Sequence, residues 1–134
     1  MRVYFDSSVF VSAIVRKDQA MLAAQKLLFE AAEGKLEAVA SVLAWDETVW
    51  ETKRASGNEV SLGVGNRLLS LRGVEFVPVS QDTLYAAQRI REKYGLDPRD
   101  AIHAASAIEN GCEQIISADK DFDRVKELRR KPFL

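Results

Sequence analysis

The chain has 134 residues, 47% of them apolar, which is enough for one domain with one buried core. With 19 basic and 20 acidic side chains the formal net charge is -1, so the protein is not a globally basic nucleic-acid binder and any such grip must come from a local patch. One cysteine, Cys112, excludes an internal disulfide and fits a reducing compartment, and with one histidine it argues against a conventional zinc site.

Read in chain order, Val3, Tyr4 and Phe5 make a short β-prone run bounded by charges, the pattern of a buried strand. Met1 and Arg2 lead directly into it and Asp6 breaks any apolar signal region, so no signal peptide is expected. A helix follows, capped by Ser7 or Ser8, with Val9, Phe10, Ala13 and Ile14 on its apolar face. Residues 20–33 carry helical spacing through Leu22, Ala23, Leu27, Leu28 or Phe29, and Ala31, and Gly34 stops them. A second strand is expected over 37–40 and a third helix over 41–54, closed by the Ser56, Gly57, Asn58 loop. Residues 58–71 form a weaker helix because of Gly63 and Gly65. Residues 74–79 alternate as a strand, with Pro78 marking a strand end or a sheet edge. Helices over 83–94 and 98–110 are closed by Gly95 and Gly111, a last strand spans about 114–118, and a final helix is expected over 121–130.

Strands separated by helices imply one α/β domain over 1–134, a three-layer α/β/α sandwich around a mostly parallel sheet of four to five strands. No stretch reaches the roughly 18 apolar residues of a membrane span, and a soluble, cytoplasmic protein is expected.

The chemistry of such a fold belongs at the strand C-termini, where helix N-termini also meet. Asp6 ends the first strand and Asp119 the last, Asp100 opens a helix, and Glu47 lies on the helix after the second strand. Carboxylates gathered at one edge repel each other unless a hard divalent cation sits among them, which points to Mg²⁺ or Mn²⁺ and phosphate chemistry. Each acid also has a plainer use. Asp6 suits a helix cap, and Asp97, Pro98 and Asp100 read as cap, first and third helical residues. Asp121 suits the cap of the final helix, with Asp123 solvated. On the third helix Glu47 borders an apolar arc of Val42, Leu43, Trp45, Val49 and Trp50, while Asp46 falls nearer its middle; periodicity does not choose between them. Ser8 could orient the Asp6 carboxylate. His103 is expected to be a satisfied, partly buried imidazole, and Trp45, Trp50 and Phe122 to be core, with Trp50 able to border a groove. No hydrolase triad and no glycine-rich phosphate loop is present.

Four segments in order resemble the successive motifs of PIN-domain nucleases: Asp6 to Phe10 after the first strand, Ser41 with Glu47, Arg99 to Ala105, and Ser117 to Phe122. The resemblance spans essentially the whole chain. It implies a central parallel sheet, an acidic pocket for Mg²⁺ or Mn²⁺, and endonucleolytic hydrolysis of RNA phosphodiester bonds. It implies Asp6, Glu47, Asp100 and Asp119 as the core acids, Asp121 as an auxiliary ligand, and Ser8 and Ser117 as supporting hydroxyls; its register favours Glu47 over Asp46. Many relatives are toxin halves of VapC-type toxin–antitoxin pairs, so a small antitoxin partner and a homodimer are further expectations. Arg99 and Lys120 are candidates to grip backbone phosphates. The carboxylate set fits metal-assisted phosphodiester hydrolysis without a protein nucleophile. The competing readings are a phosphatase or phospho-acceptor domain using Asp6, disfavoured because Ser8 stands where a second acid is wanted, and a catalytically silent scaffold binding RNA or a protein partner. Residues 126–134 leave little room for a final edge strand, so 128–134 are expected to be irregular.

Overall fold

The computed structural model describes residues 2–134. Five strands form one sheet in the order β3-β2-β1-β4-β5, every neighbouring pair parallel. They are β1 (Arg2–Phe5), β2 (Glu37–Ser41), β3 (Val74–Val77), β4 (Gln114–Ile116) and β5 (Arg129–Lys131). Six α-helices connect them: α1 (Ser7–Ile14), α2 (Gln19–Ala32), α3 (Leu43–Ser56), α4 (Asn58–Leu69), α5 (Gln81–Tyr94) and α6 (Pro98–Glu109). The expected mostly parallel α/β sandwich is what the chain forms.

Alternation along β1 splits the core in two. Tyr4 points to one face, where Val39, Ile115, Leu96, Ala101 and Ala104 surround it. Val3 and Phe5 point to the other, against Val9, Phe10, Ala24, Ala31 and Leu68. Strands buried on both faces need apolar residues at nearly every position, and β1 supplies them. The chain runs outward from β1 to β2 and β3, then returns to the other flank of β1 as β4. The C-terminal ends of β1 and β4 therefore form a topological switch point, the crevice where open α/β sheets bind ligands. Register puts Phe5 opposite Ile116, so Asp6 and Ser117 leave the sheet side by side.

Three sequence expectations change. The helix expected over 121–130 is a 3-10 turn, Lys120–Arg124, followed by the edge strand β5, which pairs with β4 through Arg129, Arg130 and Lys131. Phe122, Val125 and Leu128 are buried at threefold spacing, which imitates a helical stripe. Val125, however, has extended dihedrals, and the chain turns at Lys126 and Glu127 to enter the sheet. The segment after Leu128 is thus not irregular throughout. Trp45 and Trp50 are 38% and 53% exposed rather than core. The face that α3 buries is Ala44, Thr48 and Thr52, small side chains at i, i+4 and i+8 that let the helix lie close to the layers beneath and leave both indoles outside. Leu22 of α2, expected on the apolar face, is likewise exposed. Pro78 follows β3, which is an edge strand, as its position suggested.

One glycine position is dictated by space. Gly73, in the turn before β3, has φ of +80°, and a Cβ there would lie 1.9 Å from the Ala31 carbonyl oxygen at the end of α2. Left-handed backbone and backbone overlap act together, so Gly73→Ala should cost at least about 2 kcal/mol. Chemical denaturation checks this: an unchanged midpoint would show that the turn and α2 separate freely.

Candidate metal centre

Asp6 is 4% exposed and caps α1 with its own carboxylate, accepting the Ser8 N–H at 3.0 Å, so the cap is Asp6 and not either serine. Two hydroxyls complete its shell. Ser8 Oγ donates to Oδ1 at 2.5 Å and accepts the Ala118 N–H at 3.1 Å. Ser117 Oγ donates to Oδ2 at 2.9 Å and accepts the Asp119 N–H at 2.9 Å. Each supporting serine thus ties one Asp6 oxygen to the backbone leaving β4. Burial still pushes the Asp6 carboxyl above its ordinary range, against the pull of these hydrogen bonds. β5 secures the far side: Arg130 donates to the Ser117 carbonyl at 3.1 Å and to Asp123 at 2.9 Å.

Asp119 caps the 3-10 turn, its Oδ1 accepting the Asp121 N–H at 2.9 Å; the cap is therefore Asp119, where Asp121 was expected. Asp100 lies in the first turn of α6, where the helix dipole favours an acid. Asp97 stands at the N-cap but makes no side-chain capping bond. Asp100, Asp119 and Asp121 each offer one carboxylate oxygen, and the three oxygens lie within 4.8 Å of one another. Burial, then the facing Asp119, then Asp6 push the Asp100 carboxyl up to about 7. A carboxyl so raised keeps its proton into the neutral range unless a cation takes its place. All-oxygen donors select a hard divalent ion such as Mg²⁺ or Mn²⁺, so the residues fit the metal that the sequence implied.

Glu47 does not join that trio. It faces an open cleft of about 580 Å³ together with Asp97, Pro98, Arg99 and Asp100. It also borders a smaller cleft of about 220 Å³ lined by Ser7, Asp46, Trp50 and Arg99. Glu47 is half-buried at the cleft, as its place on the border of the apolar arc allowed. Asp46, nearer the middle of that arc, is exposed because the two tryptophans of the arc do not face the core. Glu47 Oε1 lies 2.5 Å from His103 Nε2, and His103 Nδ1 lies 2.7 Å from the Tyr4 hydroxyl. His103 is satisfied as expected, but 1% exposed and hence fully buried. Sequence reading missed Tyr4 and the His103–Glu47 bond; the only available signal was a tyrosine within an otherwise apolar strand. Arg99 is exposed at the cleft rim. Lys120 is exposed and, among the described residues, makes no ion pair; it lines a third cleft with Arg16 and Arg130.

Among the described residues no helix is long and apolar enough to cross a membrane. No curated protein sequence matches the chain. Solved structures do. VapBC2 from Rickettsia felis, crystallised with a DNA fragment from its promoter, superposes with a TM-score of 0.77 at 16% identity over 100% of both chains. DNA-bound VapBC from Salmonella typhimurium gives 0.78 at 14% identity, covering 100% of this chain and 99% of the other. VapC20 from Mycobacterium tuberculosis, a Sarcin-Ricin loop cleaving toxin, gives 0.77 at 18% identity, covering 92% and 95%. At these identities the likeness shows the fold. The sequence pattern that defines the PIN domain matches residues 3–128, nearly the whole described chain. The protein belongs to the PIN domain family.

Proposed function

We propose that this protein is a single-domain, metal-dependent endoribonuclease, hydrolysing RNA phosphodiester bonds at the acidic switch-point site, and the toxin of a toxin–antitoxin pair. The observation that carries this reading is the convergence of Asp100, Asp119 and Asp121 within 4.8 Å beside buried Asp6. Asp100, Asp119 and Asp121 would hold Mg²⁺ or Mn²⁺, with Asp6 beneath them fixing the frame and Glu47 facing the same cleft. When bound, the cation lowers the pKa of a coordinated water and offsets charge on the departing oxygen. Arg99, at the rim of the cleft that holds Asp100, and Lys120, in the chain between Asp119 and Asp121, are assigned to the backbone phosphates of the RNA. With a net charge of -1, these local cations supply the attraction that the chain as a whole does not. The similarity to VapBC assemblies supports a small antitoxin as partner. A homodimer and a cytoplasmic location complete the proposal.

The test is RNA cleavage with Mg²⁺ or Mn²⁺, with EDTA, and with Asp6→Asn. Cleavage should require the metal and be lost in the variant, whose amide cannot accept from both Ser8 and Ser117 as the carboxylate does. Activity surviving both treatments sinks the mechanism.

A further inference from the structure

The buried polar chain behind Glu47 has more order than a core histidine requires. The Ser41 N–H donates to the Tyr4 hydroxyl at 3.0 Å, so the phenol oxygen is already an acceptor. Tyr4 is 0% exposed, and the hydroxyls of Ser41 and Ser106 lie close to it without a well-formed hydrogen bond. The phenol proton has one well-formed acceptor, His103 Nδ1 at 2.7 Å. An imidazole nitrogen that accepts leaves the ring proton on the other, so Nε2 carries the hydrogen and donates it. Its partner is Glu47 Oε1 at 2.5 Å, and an ionised carboxylate can only accept. Both ends of the chain therefore demand the same tautomer. The ring cannot drift: it is fully buried and meets Tyr4 edge-on, with centroids 5.7 Å apart and planes at 62°.

We infer that Tyr4 and His103 form a brace that acts through Glu47: the phenol fixes the imidazole as its Nε2–H tautomer, and the imidazole ties Glu47 Oε1 down, leaving the second oxygen to the cleft beside Asp100. Glu47 sits on α3, whose neighbouring acids Asp46 and Glu51 line the smaller cleft of about 220 Å³. Without the brace, a glutamate with three side-chain torsions would swing among those directions; with it, one oxygen is committed and the other aimed. Outer residues that orient a ligating or reacting group by a hydrogen bond typically matter by about 10–100-fold in activity. The role in turnover rests on the proposed nuclease activity, whereas the tautomer does not, and the two are tested apart.

The chain has a single histidine, so every imidazole signal in a ¹⁵N–¹H correlation spectrum belongs to His103. In metal-free wild-type protein, without RNA, the spectrum should show a ring protonated on Nε2 alone. Tyr4→Phe should convert it to a mixture of tautomers. A wild-type ring protonated on Nδ1, or a spectrum unchanged by Tyr4→Phe, overturns the brace whether or not the protein cleaves RNA. In cleavage assays His103→Ala should lower kcat by about 10–100-fold with KM within about twofold. His103→Gln, whose amide donates from nearly the same place as Nε2, should recover most of that loss. Wild-type kcat in His103→Ala, or a glutamine variant no better than alanine, overturns the positioning role; wild-type protein inert on RNA while the tautomer is as described refutes the nuclease reading alone.

Discussion

Asp119→Asn is expected to lower metal-dependent RNA cleavage by at least about a thousandfold while leaving the metal-free protein as stable as wild type, or more stable, at neutral pH. Most substitutions of a half-buried polar residue destabilise, so the two effects together are diagnostic. The introduced side-chain carbonyl can still accept the Asp121 N–H, and the backbone N–H at this position can still donate to Ser117 Oγ, so the 3-10 cap survives. What disappears is one negative charge facing Asp100 and Asp121 across less than 4.8 Å. Without a cation that charge is repulsive, and its removal relieves the trio. With a cation the same charge is a ligand, and metal-assisted stabilisation of the transition state is worth several kcal/mol, of which about 4 corresponds to a thousandfold. Thermal unfolding with and without Mn²⁺, beside kcat/KM, checks both halves. A variant that loses activity only because its metal-free form unfolds would refute the electrostatic account.

The second large effect is on pH. The Asp100 carboxyl is raised from an ordinary value of 3.8 to about 7, by burial first and by Asp119 next. A carboxyl that holds its proton more tightly when folded contributes stability that is fully present below its unfolded pKa. That contribution declines as pH rises from about 4 and is gone above about 7. Metal-free protein should therefore lose stability from this group between pH 4 and pH 7, the opposite of what a salt-bridged carboxylate gives. Binding a cation expels the proton, so apparent Mn²⁺ affinity should fall about tenfold per pH unit below 7, roughly a hundredfold by pH 5. Calorimetry in buffers of different ionisation enthalpy should detect close to one proton released per metal near pH 6. Affinity independent of pH between 5 and 7 would show that Asp100 is not a ligand.

The fold was legible in the sequence because strands and helices here obey their local signals: apolar runs of three to five residues, glycine stops, and helix caps. The candidate acids Asp6, Asp100 and Asp119 stood out for a related reason, since each lies where a strand ends or a helix begins. What failed was everything decided by packing. Phe122, Val125 and Leu128 carry helical spacing but are spent on a turn and an edge strand, because β4 offers an unpaired edge that only extended backbone can satisfy. Trp45 and Trp50 were expected in the core, whereas alanine and threonine are what α3 turns inward. The Tyr4–His103–Glu47 chain joins residues 99 and 56 positions apart, and nothing local in the sequence announces such contacts.

The two hydroxyl bridges at Asp6 carry a consequence for biosynthesis. Ser117 lies 111 positions from Asp6, and the Ala118 N–H reaches Ser8 across 110. A nascent chain extended only through α6 already contains Asp6, Glu47 and Asp100, yet lacks β4, both bridges and two of the three clustered carboxylates. Closing so long a loop comes late, since its entropy is recovered only when the distant partner arrives. The centre therefore cannot exist on a polypeptide made only through α6. For a nuclease of the proposed kind, this delays the hazard until β4 and Asp121 have been made and leaves products terminated before them harmless.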